Sequence, residues 1–110
     1  MKTKFDKDQI VKNAAEAESF LKSVANSNRL MILCSLLDGG RSVSELNEEV
    51  PLSQSALSQH LSVLRDAGLV ATRRESQTIF YSLAEERVSI LLNTLYLIFC
   101  VDELKGRQAK

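Results

Sequence analysis

Helix breakers are scarce in this chain, and their positions decide how it can fold. Pro51 is the only proline, and before the tail glycine occurs only at 39, 40 and 68. The spacing of apolar residues predicts a first helix, α1, over Lys7 to Ala25. Val11, Ala14, Ala15, Leu21, Val24 and Ala25 recur near helical period, and Glu18 breaks the face. A second helix, α2, is predicted over Asn28 to Leu37, with Leu30, Leu33, Cys34 and Leu37 along one side. Asp38-Gly39-Gly40 ends it, because glycine tolerates the left-handed conformation of a helix exit.

Ser42-Val43-Ser44-Glu45 matches a capping box, which starts α3 at Ser42 and carries it to about Val50, where Pro51 stops it. Ser53 is a favourable N-cap for α4, Gln54 to Ala67, and Gly68 supplies its exit. Leu69 to Arg74 and Thr78 to Leu83 are β-rich runs joined by Glu75-Ser76-Gln77, which reads as a hairpin. The last helix, α5, is expected from Glu85 to Asp102. Two short helices with a tight turn, followed by a hairpin, describe a winged helix-turn-helix, a mainly α fold with a β-hairpin wing (α+β). A chain of 110 residues fits one such domain. We place it at residues 7–102, between a disordered 1–6 and a frayed polar tail at 103–110.

On α4, Leu57, Leu61 and Leu64 form a core face, with Ala56 and Val63 at its margins. The opposite face carries Gln54, Ser55, Ser58, Gln59 and Ser62. Short hydrogen-bonding side chains suit a helix lying in a DNA major groove, where Gln can bond an adenine edge and Ser can donate or accept. The start of α4 at Ser53 also offers free backbone N–H groups to a phosphate. By itself such a face is as readily an ordinary solvated one. The preceding α3, the tight turn and the hairpin favour DNA.

Basic and acidic residues balance, 14 against 14, so any attraction to phosphate must be local. Arg65 at the end of α4 and Arg73, Arg74 and Gln77 in the hairpin are the candidates for a basic stripe, with Asp66 and Glu75 weakening it. His60, the only histidine, lies between the two faces of α4. It is carried among the DNA-facing candidates, although packing or orienting is the heavier reading.

From Val88 to Val101 no residue is charged, and only Ser89, Asn93 and Thr94 are polar. The run is shorter than the ~20 residues of a membrane span, so it is expected to be buried in protein. A helix apolar around most of its circumference buries more than one side. Leu91, Leu92, Leu95, Ile98 and Phe99 are therefore the candidate contacts of a homodimer built through α1 and α5. Its twofold axis would set two α4 helices about 34 Å apart, one turn of DNA, over an imperfect inverted repeat. Met1 to Asp6 lacks an apolar signal region, and two cysteines without a Cys-x-x-Cys do not make a secreted scaffold, so a cytoplasmic protein is expected. No nucleophile–base pair, glycine-rich phosphate loop or metal set is present, which argues against an enzyme and against a cofactor.

The stretch Leu52-Ser53-Gln54-Ser55-Ala56-Leu57-Ser58-Gln59-His60-Leu61, with Leu64-Arg65 and Gly68-Leu69-Val70, resembles the ArsR/SmtB family. So do Ala25-Asn26 with Arg29-Leu30, and Phe80-Tyr81 with Leu83. The resemblance covers roughly residues 16 to 101. It implies a winged helix-turn-helix regulator of transcription and lends DNA-binding roles to Val43, Gln54, Ser55, Ser58 and Gln59. The metal-sensing members carry Cys-Val-Cys in α3 and Asp and His in α5. Here α3 reads Ser42-Val43-Ser44-Glu45-Leu46 and α5 has no His, so no metal is expected.

The closer resemblance is to the dithiol branch of that family, in which one Cys sits in α2 and one near the end of α5. Cys34 and Cys100 match those places. The resemblance implies a repressor of sulfide-detoxification genes that senses reactive sulfur species through a disulfide or polysulfide bridge. The alternative it offers is an effector-independent activator that displaces a silencing protein from DNA. Read without it, a free Cys often simply fills space. A thiol among leucines, as Cys34 is expected to be, is not activated, and the negative end of a helix does not help Cys100.

Overall fold

The computed structural model describes residues 6–100. The Cα radius of gyration is 16.3 Å. The elements run α1 (Lys7–Val24), α2 (Ser27–Ser35), β1 (Arg41–Ser42), α3 (Val43–Glu49), α4 (Gln54–Asp66), β2 (Val70–Glu75), β3 (Thr78–Leu83) and α5 (Glu86–Phe99). This is the winged helix-turn-helix order, with one strand that the sequence pattern did not predict. Of the expected disordered 1–6, residues 1–5 lie outside the described residues and Asp6 is placed as the N-cap of α1. The expected frayed tail at 103–110 and the last residues of the expected α5 also lie outside them.

Side-chain caps start four of the five helices. Asp6 accepts from the Asp8 amide at 3.0 Å and Asn26 from the Arg29 amide at 3.1 Å. The capping box of α3 closes in both directions: the Glu45 amide donates to Ser42 Oγ at 3.1 Å, and the Ser42 amide donates to Glu45 Oε1 at 2.9 Å. Ser53 accepts from the Ala56 amide at 3.1 Å. Gly68, at φ +77°, makes the exit from α4 that the sequence predicted.

β2 and β3 pair antiparallel from Val70 with Leu83 to Glu75 with Thr78, leaving Ser76 and Gln77 as a two-residue turn. Ser76 sits at φ 58°, a conformation that hairpin turns usually give to glycine or asparagine. β1 joins the other edge of β3, Arg41 opposite Tyr81 and Ser42 opposite Phe80, giving the order β1-β3-β2. Ser42 thus ends a strand and caps a helix, which ties the start of α3 to the wing.

The core gathers Leu57, Leu61 and Leu64 of α4, as their spacing predicted, against α2, α3, β2 and α5. α2 buries Ile32 and Leu33, and its C-cap Leu36 is buried too, while Leu30 is half-buried, Cys34 is exposed, and Leu37 beyond the helix is exposed. The predicted face of α2 is therefore rotated by about one residue. α1 buries only Val24 and half-buries Phe20. Arg87 fastens it to the start of α5, lying 4.4 Å over the Phe20 ring and pairing with Glu16 at 3.5 Å.

Candidate nucleic-acid interface and paired thiols

The α3–α4 turn is held by a bond that the sequence did not reveal. Asn47 Nδ2 donates to the Leu52 carbonyl at 2.7 Å, clamping the segment around Pro51. α4 leaves this turn with its leucines inward, and Gln54, Ser55, Ser58, Gln59 and Ser62 are all exposed. The predicted polar face therefore stands in solvent. Ser53 is exposed too, although its hydroxyl oxygen is engaged as the cap.

The wing, β2 and β3, follows α4 and packs against α3. Val43, half-buried against the core, lines with Ser42, Ser44, Gln77, Thr78 and Ile79 a cavity of about 410 Å³ between the start of α3 and the hairpin tip. Val43 and Gln77 are thus brought together. The two wing arginines differ. Side chains alternate across a strand, so Arg73 shares a face with Glu75, with which it forms an ion pair, and it lies 5.1 Å over the Phe80 ring. Arg74 is paired with Ile79 on the other face, which turns it toward the α3 side. Neither Arg74 nor Arg65 forms an ion pair among the described residues, and both are exposed.

His60, carried among the DNA-facing candidates, differs from the exposed residues of α4. It is half-buried, and its Nδ1 accepts from Arg29 Nε at 3.4 Å. The imidazole is held toward α2, an arrangement in keeping with the packing or orienting reading of this residue.

At the other end of the domain, Cys34 and Cys100 line one apolar cavity of about 230 Å³ with Leu30, Leu92, Leu95, Tyr96 and Phe99. Both are free thiols. Cys34 is exposed rather than sealed among leucines, because α2 turns Ile32, Leu33 and Leu36 inward instead. Its apolar surroundings still push the thiol above its ordinary value, and the neighbouring Cys100 adds in the same direction. Cys100 is the C-cap of α5, its amide bonded to the Tyr96 carbonyl at 2.8 Å.

Comparison with known proteins agrees with this geometry. The family model described as bacterial regulatory protein, arsR family, matches residues 26–72, from the cap of α2 into β2. The transcriptional activator HlyU of Vibrio cholerae is 50% identical over 92 residues, covering 84% of this chain and 85% of that protein. The chain belongs to the ArsR family.

It is accordingly a DNA-binding regulator of transcription and not an enzyme. The structure of reduced HlyU from V. cholerae superposes with a TM-score of 0.78, covering 84% of this chain and 97% of that one. The biofilm growth-associated repressor of Xylella fastidiosa is 42% identical over 97 residues, 88% of this chain and 85% of that protein. The crystal structure of that organism's repressor BigR gives a TM-score of 0.83 over 87% of this chain and 98% of that one. A homodimeric winged helix-turn-helix domain, Mb0332 of Mycobacterium bovis, described as a possible ArsR-family regulator, gives 0.72 at 25% identity. It spans 100% of this ArsR-family chain and 99% of that domain.

The predicted interface residues of α5 divide. Ile98 and Phe99 are 61% and 70% exposed, whereas Leu91 and Leu95 are half-buried. Leu92, at 2%, is core and unavailable to a partner. Ile90 and Leu97, which the sequence reading did not single out, are exposed. No helix of the described residues is long and apolar enough to cross a membrane.

Proposed function

We propose that this regulator acts in the cytoplasm as a homodimeric repressor whose grip on an imperfect inverted-repeat operator is released when Cys34 and Cys100 become bridged by reactive sulfur. The observation that carries this reading is the shared cavity: two free thiols, one on α2 and one at the end of α5, facing the same 230 Å³ apolar space. A persulfide or polysulfide transfers sulfur to Cys34 and releases its carrier thiol. Attack by the Cys100 thiolate on the Cys34 sulfur then closes a disulfide and expels the transferred sulfur as sulfide. Where a polysulfide has passed on two or more sulfurs, attack further along that chain expels its terminal sulfur as sulfide and keeps the rest in a polysulfide bridge. Apolar walls favour a small, weakly hydrated donor over a highly charged oxidant.

Dimerisation is supported by the exposed apolar residues of α5 and by α1, which leaves Ile10, Val11 and Leu21 exposed. Burying one such side chain contributes roughly 1.5–3 kcal/mol. The homodimeric relative from M. bovis is consistent with this arrangement. Within the dimer, Gln54, Ser55, Ser58 and Gln59 of each protomer face base edges. Arg65 and Arg74 contact phosphate, with Arg73, Gln77 and the Val43 corner beside them. A bridge would tie α2 to α5 and so alter the spacing of the two α4 helices. A hundredfold loss of occupancy requires that the bridge disfavour the bound geometry by about 2.7 kcal/mol.

The test is operator affinity before and after treatment with a persulfide donor, measured beside Cys34→Ser and Cys100→Ser. The proposal expects the wild type to lose affinity about a hundredfold and both variants to hold theirs. Equal affinity of the treated and untreated wild type would remove the thiol switch and leave DNA binding standing. A second reading, an effector-independent activator that displaces a silencing protein, is favoured by the 50% identical relative described as a transcriptional activator. It expects thiol-independent affinity.

A further inference from the structure

Arg29 stands where three helices meet. It is the third residue of α2, and its amide is bonded to the Asn26 cap. Its Nη1 donates to the Ser23 carbonyl at the end of α1, at 3.2 Å, and its Nε donates to His60 Nδ1 in the middle of α4, at 3.4 Å. Cys34 lies five positions further along the same short helix, about 7.5 Å of helical rise away. α2 is therefore a lever with the thiol near one end and a polar tie to α4 near the other. His60 sits between exposed Gln59 and buried Leu61. It therefore lies on the same helix as Ser58 and Gln59 and next to them in sequence, so a displacement of its ring would be felt at that face. A hydrogen bond to a ring nitrogen weakens steeply as its angle departs from linear, so this tie has a direction that the non-directional apolar α2–α4 contact lacks.

We infer that the Arg29–His60 pair is the joint through which the state of the Cys34–Cys100 site reaches the DNA-reading face. Both are positioning residues, neither touching DNA nor sulfur. The inference rests on the thiol switch proposed above.

The experiment measures, for the full chain, the ratio of operator affinities between the reduced and the polysulfide-treated protein. Mass spectrometry confirms the bridge in every treated sample. Wild type gives a ratio of about one hundred, and Arg29→Met, which keeps the apolar stem but loses both side-chain bonds, drops it below about five although the bridge still forms. His60→Leu behaves as Arg29→Met. His60→Asn, whose side-chain oxygen accepts close to where Nδ1 does, restores most of the ratio. That rescue would not follow from a merely structural role, and basal affinity cancels in the ratio. An undiminished ratio in bridged Arg29→Met, or in His60→Leu should the first variant fail to fold, overturns the inference. A ratio of one in bridged wild type overturns it by a different route, since that result removes the thiol switch itself.

Discussion

Helices α4 and α5 are almost the same length, 13 and 14 residues, and solve opposite problems. α4 buries Leu57, Leu61 and Leu64 and shows solvent a row of Gln and Ser side chains. Its three leucines are fully packed within one protomer, and apart from the exposed Val63 what remains outside is mainly hydrogen-bonding and charged chemistry. α5 buries Val88 and Leu92 and leaves Ile90, Leu97, Ile98 and Phe99 outside. Its packing is unfinished within one protomer, since several large apolar side chains on one helix stand exposed. One helix is ready to read a polar ligand, and the other to meet a second protein surface.

The sharpest way to break this contrast is to damage each helix on its own terms. Leu57→Ala opens a cavity in a completed core and should cost about 2–5 kcal/mol of unfolding free energy, read by denaturant melting. Phe99→Glu should leave the protomer fold intact. It should weaken self-association by at least about 2 kcal/mol, seen as a monomer in sedimentation at concentrations where the wild type is dimeric. A stable dimer of Phe99→Glu would make the exposed end of α5 incidental. Gln59→Ala should leave melting and dimerisation unchanged and lose about 1–3 kcal/mol of discrimination at one base position, measured on single-substitution operators.

A smaller effect separates the two wing arginines. Arg74→Ala should lower the slope of log affinity against log salt by about 1 per phosphate contact removed. Arg73→Ala, whose guanidinium is already engaged by Glu75 and Phe80, should lower it less. Smallest in free energy is the behaviour of Cys34. Because the apolar groups around this exposed thiol, and Cys100 beside it, raise it above its ordinary value, the reactive thiolate is the minor form at neutral pH. Its alkylation rate should climb about tenfold per pH unit from neutrality to beyond the ordinary thiol range. A plateau near neutrality would show an activated thiol.

The same contrast explains how far the sequence could be read. α4 was legible because its leucines recur at one spacing and its ends carry Ser53 and Gly68. The capping box announced α3 for the same local reason. β1 was not legible, since two residues have no periodicity and the strand exists only by pairing with β3. The buried face of α2 is not legible, because Leu30, Met31, Ile32 and Leu33 are consecutive and define no face. In α5, apolar all round, nothing local separates Leu92, which belongs to the core, from Ile98 and Phe99, which do not. The role of His60 depends on Arg29, and the clamp by Asn47 depends on a carbonyl across a turn. Neither signal lies in the residue itself.

The account turns on two α4 helices entering successive major grooves from one dimer. Selection of bound duplexes from a random pool, followed by affinity measurement on the selected site and on a copy with five base pairs inserted at its centre, tests this most directly. The account predicts half-sites about one helical turn apart, and an insertion that lowers affinity by more than about tenfold because it swings one half-site to the opposite side of the duplex. Equal affinity for the selected and the inserted duplex would contradict it.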